Sequence, residues 1–353
     1  MGIEWTEKNK YNPMNSMKGL TYYEHYKLIR GWYDGKNDLP SPIEASLDPV
    51  KACNNACYYC NSQRYLRENI THLKRWGRDY MEDLFCELAQ WGVKAFCWGG
   101  GGEATLNPRL AEATRMGIGL GLEGAIVTNG VLLNDDLIDA LLLCKWIGVS
   151  VDTCDPEVYR QVRGTNDCDK VWGNIIKIAD KKDKTVLGIR ALVLPETIGT
   201  LVDTCRAARI AGANFFHARP VDLERTDSKL ERLSLDMERI KAIFDQCHKL
   251  ESRDFQVYTV THKYDENFHV KHNFRKCWVS PLVVQICTDK KRYVCVDHRL
   301  EPRFEVKQWG SDEHRELLTS IEPDKECGRC TWGEYQRQYE EVILEDRMHV
   351  NFP

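Results

Sequence analysis

Three cysteines, Cys53, Cys57 and Cys60, are spaced C-x3-C-x2-C within KACNNACYYC (51–60), with Tyr59 directly before the last. Three thiolates this close, with no fourth nearby, suit a metal site with one position left open. Soft sulfur donors favour zinc, copper or an iron–sulfur cluster. A second set, Cys277, Cys287, Cys295, Cys327 and Cys330, lies in the last quarter of the chain. A CxxC pair (Cys327-Gly-Arg-Cys330) following a hairpin cysteine is how four-thiolate sites are assembled, with zinc and iron–sulfur both open. Cys287, inside the apolar run VVQIC, reads as a small buried hydrophobe.

Polar groups recur where chemistry would need them. Gly101, Gly102 and Glu103 close a glycine run after VKAFCWGG, which is neither GxGxxG nor a P-loop. Glycines there permit close backbone approach, and a carboxylate plus strand-end carbonyls would accept hydrogen bonds from an ammonium. Thr128-Asn129-Gly130 ends another apolar run, and Ser150 and Asp152 alternate on a third, so they share a face. Arg190, within the apolar TVLGIRALVL, needs an anionic or hydrogen-bonding partner. His217 and Arg219 share a face near the end of ANFFHARP, where an ion pair of Arg219 with Asp222 or Glu224 is the ordinary alternative.

Alternating strand and helix signals position these residues. Strands are predicted at 43–49, 93–100, 123–130, 146–152, 185–194 and 213–220, with helical periodicity between them and at 234–250. Six strand–helix units with nearly continuous apolar strands predict a parallel α/β sheet, with the chemistry at the carboxyl ends of its strands. An open doubly wound sheet and a curved barrel are not separated by this pattern. FQVYTV is expected to close or edge the sheet, and VVQIC and RYVCV to form a hairpin. WGEYQRQYEEVI is expected to be helical, and the aromatic-rich TYYEHYKLIRGWYDG to lie across a larger body. The hairpin region carries too little apolar sequence to fold well alone and calls for a metal or disulfide. The domain reading is an N-terminal extension at 1–42, a parallel α/β unit at 43–260 and a small C-terminal unit at 261–353.

The cysteine triple with its preceding tyrosine resembles the cluster loop of the radical S-adenosylmethionine (SAM) enzymes. The resemblance implies a partial (β/α)6 TIM-like barrel. It further implies a 4Fe–4S cluster on Cys53, Cys57 and Cys60, whose fourth iron takes the amino and carboxylate groups of SAM. Gly101-Gly102-Glu103 resembles the GGE motif that holds the methionyl amino group, with Ala104 in place of the usual proline. By the same analogy Thr128 and Asn129 lie near the methionyl and ribose parts, Ser150 near ribose or carboxylate, Arg190 as a clamp, and Tyr59 near adenine. The C-terminal cysteines resemble the twitch module, the shortened form of SPASM seen in the butirosin-type radical dehydrogenase. That module holds one further 4Fe–4S cluster, here on Cys277, Cys295, Cys327 and Cys330. Lys290 stands where a glycine usually precedes the hairpin cysteine.

The activity implied is reductive cleavage of SAM to a 5′-deoxyadenosyl radical that abstracts hydrogen from a substrate, with an electron delivered by a flavodoxin or ferredoxin-like donor. Two clusters point first to oxidation of a secondary alcohol of a sugar or aminocyclitol, the auxiliary cluster accepting an electron. His217 is then the candidate base, with Asp152 or Arg219 as substitutes. The alternatives are a redox-neutral epimerase with a cysteine hydrogen donor (Cys154, or Cys97 or Cys287), a peptide- or protein-modifying radical enzyme, and a non-catalytic iron–sulfur electron-transfer protein.

Composition bounds the rest. The 353 residues are 42% hydrophobic and 29% charged, as in a globular protein. No apolar run is long enough to span a bilayer, and the charged start MGIEWTEKNK does not read as a secretion signal. Fifteen cysteines without such a signal fit metal ligation in a reducing cytoplasm better than a disulfide framework. A net charge of −4 gives no global attraction to nucleic acid.

Overall fold

The computed structural model describes residues 18–62, 66, 75–221, 236–261, 274–327 and 330–344. After helix α1 (Tyr23–Tyr33), seven parallel strands follow in chain order: β1 (Glu44–Leu47), β2 (Ala95–Trp98), β3 (Glu123–Thr128), β4 (Trp146–Ser150), β5 (Val186–Val193), β6 (Phe215–Pro220) and β7 (Gln256–Thr259). The helices between them are α2 (Arg78–Trp91), α3 (Leu110–Gly119), α4 (Asp135–Leu141), α5 (Pro156–Arg163), α6 (Cys168–Lys181), α7 (Leu201–Ile210) and α8 (Met237–His248). Strand β8 (Val283–Ile286) then pairs in parallel with β1, and β9 (Arg292–Tyr293) returns antiparallel to β8. The sheet runs β7-β6-β5-β4-β3-β2-β1-β8-β9, so β7 and β9 are its edges. This is the expected helix-flanked partial barrel, edged as expected by FQVYTV. The hairpin, however, is no separate layer: its first strand extends the barrel sheet beside β1, a pairing that no local pattern signals.

The period of two along the strands divides apolar from functional. Ile147 and Val149, Ile189 and Ala191, and Phe216 and Ala218 are buried in the main core under the helices. Their alternates Ser150, Arg190, Leu192, His217 and Arg219 are only partly buried and face the other way. Helix boundaries are set by short-range chemistry. Asp155 caps α5 by accepting from the amides of Glu157 and Val158, Pro156 opens it, and Gly164 ends it with φ +71°. Glycine suits that position, because the backbone is left-handed and a Cβ there would crowd the Ala56 methyl in the cysteine loop at 3.0 Å.

A second core joins the two ends of the chain. Tyr26, Ile29 and Trp32 of α1 are buried with Val279, Leu282, Phe304, Val306, Leu318 and Tyr339. The C-terminal helices are α9 (Asp312–Ser320), α10 (Pro323–Glu326) and α11 (Gly333–Gln338), the last running into a wider turn at Tyr339–Leu344. Trp32 Nε1 donates to the Gly310 carbonyl at 2.9 Å, and Tyr33 Oη to the Cys277 carbonyl at 3.3 Å. The aromatic lead therefore supplies apolar surface that the C-terminal sequence lacks. At the hairpin turn Lys290 takes the left-handed φ of +69° that glycine would adopt more readily. Its ammonium lies 4.5 Å from the centroid of the Tyr80 ring. Most of the polar stretch after Thr261 lies outside the described residues. No helix among the described residues is long and apolar enough to cross a membrane.

Candidate active site

The cysteine loop leaves the carboxyl end of β1 and is pinned from three sides. The Ala56 amide donates to the Arg163 carbonyl at the end of α5 (3.0 Å), and the Glu103 amide donates to the Ala52 carbonyl (2.7 Å). Asn129 Nδ2 donates to Asn54 Oδ1 at 2.7 Å. Gly102 is required here, since a Cβ would lie 2.5 Å from the carbonyl oxygens of both Val50 and Ala52. The ends of β1, β2, β3 and α5 thus meet around one loop.

Its sulfurs face hydrogen-bond donors. The Asn55 amide lies 3.4 Å and Asn129 Nδ2 3.9 Å from Cys53 Sγ, and Arg163 Nη1 lies 3.8 Å from Cys57 Sγ. Burial pushes the Cys53 thiol up to about 12, with the charges of Glu103, Cys57 and Cys60 adding to the rise. Burial also raises Cys57, against the pull of Arg163. Among the described residues no three His, Cys, Asp or Glu side chains stand ready-made around a metal position. The donor set nevertheless fits a sulfur-ligated cluster: three mutually interacting thiols on one loop, with donors aimed at the sulfur atoms.

Glu103 is buried at the centre of the strand ends. Its Oε1 accepts from the Thr105 amide, Thr105 Oγ1 and Thr128 Oγ1, and its Oε2 from the Asn129 amide, at 2.7–3.1 Å. The carboxylate thereby staples the glycine turn after β2 to the TNG turn after β3. Gly101 donates its amide to Asp48 Oδ1 at 3.0 Å.

Asp152, with φ +69°, is also buried and engaged. Its carboxylate lies 2.7 Å from Arg163 Nε, receives the Tyr59 hydroxyl, and accepts from the Leu192 amide at 2.9 Å. Tyr59 is buried against Val162 and Leu194, with the Arg163 guanidinium 5.9 Å from its ring. Around Tyr59, Asp152 and Arg163 the side chains hold the cysteine loop against β4 and β5. Cys154 is drawn toward the helices: its amide donates to Thr204 Oγ1 in α7 at 3.0 Å.

Strand register builds the opposite wall. Ser150 pairs with Arg190, Arg190 with His217, and His217 with Tyr258, so four side chains form one row across β4 to β7. Arg219 pairs with Leu192 one step nearer the carboxyl ends. Asp222 and Glu224, the alternative partners of Arg219, lie outside the described residues. The Arg190 charge reaches Cys97 on the inner side of β2, whose thiol burial pushes far up.

The second cysteine set converges too. Cys277, Cys295, Cys327 and Cys330 line one small cavity. Gln336 Nε2 donates to Cys277 Sγ at 3.6 Å, the Asp297 amide donates to Cys295 Sγ at 3.3 Å, and His298 Nε2 lies 3.4 Å from Cys327 Sγ. Burial raises Cys277 to about 11 and pushes Cys295 and Cys330 well above the usual thiol range. Four thiols sharing one cavity, two with donors at the sulfur and a third beside the His298 ring, fit a second sulfur-ligated group. Cys287 is elsewhere, its thiol donating to Asp48 Oδ2 at 3.8 Å.

Sequence reasoning missed Asp48, Arg163, Tyr258, His298 and Arg299. Arg299, four residues beyond Cys295, reaches back to Asp48, with Nε 2.7 Å from Oδ2. This buried pair connects the segment carrying the auxiliary cysteines to the glycine turn. Only the Asp-Pro step at the end of β1 hinted at Asp48, and nothing local marked Arg163 or Arg299.

Residues 47–208 match the radical SAM superfamily model. GTP 3′,8-cyclase 1 of Mycobacterium tuberculosis is 32% identical over 145 residues, 38% of this chain and 38% of its own length. PqqA peptide cyclase of Xanthomonas campestris pv. campestris is 25% identical over 176 residues, covering 49% of this chain and 43% of the cyclase. The chain thus spans less than half the length of either curated relative. The crystal structure of Streptococcus suis SuiB bound to S-adenosylmethionine superposes with a TM-score of 0.63 over 90% of this chain and 76% of SuiB, at 14% identity. That is a likeness of fold, and it takes in the C-terminal region as well as the barrel. The family match lies over the cysteine loop and the strand ends just described, so residues 47–208 resemble the radical S-adenosylmethionine superfamily, and the likeness of fold to SuiB extends beyond them into the C-terminal region.

Proposed function

We propose that this enzyme modifies a residue of a peptide or protein by hydrogen abstraction at the carboxyl ends of the barrel strands. The observation that carries this reading is the extent of the likeness to SuiB, which is also known in a structure bound to its precursor peptide SuiA and which matches 86% of this chain in that form. The similarity to PqqA peptide cyclase points the same way. These relatives favour the peptide reading over the sugar or aminocyclitol oxidation that the cysteine pattern first suggested.

SAM bound at an iron–sulfur cluster supplies the 5′-deoxyadenosyl radical. In this proposal Cys53, Cys57 and Cys60 hold that cluster, while Gly101, Gly102, Thr128 and Asn129 shape the cofactor turn. Glu103, saturated with internal donors, sets that turn more than it binds ligand. Asp152 acts through Arg163 and Tyr59 as a positioning residue. The row Ser150, Arg190, His217 faces the substrate, with His217 available to take a proton and Arg219 above it. Cys277, Cys295, Cys327 and Cys330 hold an auxiliary cluster, and a flavodoxin or ferredoxin-like protein donates the electron.

A second reading, oxidation of a small polar alcohol, is favoured by the pairing of Arg190 with His217, a cation beside a base. For a redox-neutral outcome the hydrogen donor is Cys154, partly buried just beyond β4, since Cys97 lines a cavity at the amino ends of the strands.

The test is isotope transfer. The anaerobically reconstituted, reduced enzyme is given SAM with either a deuterated peptide mixture or deuterated sugars and cyclitols, and 5′-deoxyadenosine is examined by mass spectrometry. Deuterium acquired from peptides supports the proposal. Deuterium from the cyclitols alone overturns it in favour of the second reading.

A further inference from the structure

His298 lines the same small cavity as Cys277, Cys295, Cys327 and Cys330, and only 7% of it is exposed. It follows Cys295 at the interval C-x2-H, the same spacing that separates Cys327 from Cys330. Two donors at that interval on a tight turn are how a chain presents a pair of ligands to one metal site. The turn is closed: the His298 amide donates to the Cys295 carbonyl at 3.2 Å, and the Asp297 amide donates to Cys295 Sγ at 3.3 Å. The Asp297 carboxylate accepts from the amide and hydroxyl of Thr331 at 3.1 and 2.8 Å, which ties this turn to the one carrying Cys330.

The imidazole is oriented from two directions. Its face stacks on Phe304, with ring centroids 3.7 Å apart, and its Nδ1 lies 3.0 Å from Glu301 Oε2. A carboxylate only accepts, so in the neutral ring Nδ1 carries the proton and Nε2 keeps its lone pair. A carboxylate behind one nitrogen, with the lone pair on the other, is how proteins orient a metal-ligating histidine. Nε2 faces Cys327, 3.4 Å from its Sγ. Nitrogen at about 2.0–2.1 Å and sulfur at about 2.3 Å from one tetrahedral metal stand roughly 3.5 Å apart. Ligands to different irons of a 4Fe–4S group are much farther from one another, since each iron takes one protein ligand. Nε2 of His298 and Sγ of Cys327 therefore address a single metal position.

We propose that His298 is a metal ligand of the auxiliary site, its Nε2 taking the position of Cys327 whenever that thiolate is off the metal. The proposal rests on the reading that the four thiols hold an iron–sulfur group. Exchanging a thiolate for a neutral imidazole removes one negative charge from the group and makes it easier to reduce, the direction in which histidine ligation moves other iron–sulfur centres. Cys327 and His298 together thus give one site two reduction potentials.

The test uses reconstituted protein whose histidines carry the heavy nitrogen isotope, reduced in the absence of SAM, with nitrogen coupling to the auxiliary group read by pulsed electron paramagnetic resonance. Cys327→Ser retains the group and shows a histidine nitrogen bonded directly to iron, and adding His298→Phe abolishes that coupling. Cys327→Ala, in which no serine oxygen competes for the metal, shows the same coupling. In both single variants the reduction equilibrium of the group shifts at least about tenfold toward the reduced form, about 59 mV for one electron. Loaded single variants that show only the weak coupling of a hydrogen-bonded ring, or none, overturn the proposal. So does loss of the group from both single variants when the wild type holds it. A wild type that takes up no iron on these four thiols overturns the proposal together with the cluster reading.

Discussion

Replacing Arg299 with methionine probes the buried contact between the C-terminal segment and the barrel. The two side chains are 13% and 3% exposed, with Nε 2.7 Å from the Asp48 carboxylate. Removing the guanidinium leaves that carboxylate with neutral partners, the Gly101 amide at 3.0 Å, the Cys287 thiol at 3.8 Å and the Gln285 side chain. Breaking one side of such a pair costs about 3–5 kcal/mol, because a charge stays buried without compensation. Burial already pushes the Asp48 carboxyl up, while Arg299 and the Gly101 amide pull it back. In the variant it rises further, so protonation of Asp48 relieves the loss. A group whose folded-state pKa is raised favours the folded state below that pKa and penalises it above. The deficit is therefore largest near pH 8 and shrinks toward about pH 5. Urea unfolding followed by circular dichroism, at both pH values, measures it. The double variant Asp48→Leu, Arg299→Met should lose less than Arg299→Met alone, since no stranded charge remains. A deficit below about 1 kcal/mol at pH 8, the range of an exposed ion pair, would refute the reasoning.

Three further outcomes follow from the geometry. Gly102→Ala brings a methyl within 2.5 Å of two backbone carbonyls; the cysteine loop must shift, at about 1–3 kcal/mol, and iron retained by the N-terminal site falls while the auxiliary site loads normally. Changing Cys327 and Cys330 together to serine should halve the iron of the reconstituted protein, from roughly eight to roughly four atoms per chain for two 4Fe–4S groups; an unchanged iron count with one zinc lost would show that the second site is a zinc site. His314, buried against Trp32 and Trp309 with Nδ1 accepting from the Gly310 amide, is pushed down to about 4 by burial. Both states are neutral above the unfolded pKa near 6.5, so no penalty exists there; as pH falls from about 6.5 to about 4 only the unfolded chain gains the proton, and about 3 kcal/mol of stability is lost. His314→Gln should remove that part of the pH dependence in urea midpoints.

What was legible in the residues is what repeats locally. The period of two on the strands separated Val149 from Ser150 and Ile189 from Arg190, and so located the inner wall before any fold was in hand. Cysteine spacing marked the triple at 53–60 and the CxxC pair at 327–330, while the cavity that gathers Cys277 and Cys295 with that pair is a matter of folding. Caps such as Asp155 with Pro156 and Gly164 fixed helix ends through bonds spanning two or three residues. Other features come only from closing distant segments on one another. Asp48 and Arg299 are 251 positions apart, and nothing near either residue encodes their meeting. The partner that occupies Asp152 arrives from the end of α5, which turned a candidate base into a brace for the cysteine loop. Strand β8 joins β1 rather than standing apart, because a parallel edge can be completed by any strand whose register and apolar face fit. Periodicity writes the face of an element into the chain; the neighbour of that face is set by packing, and so the two ends of this sequence came to share one core beneath the auxiliary cysteines.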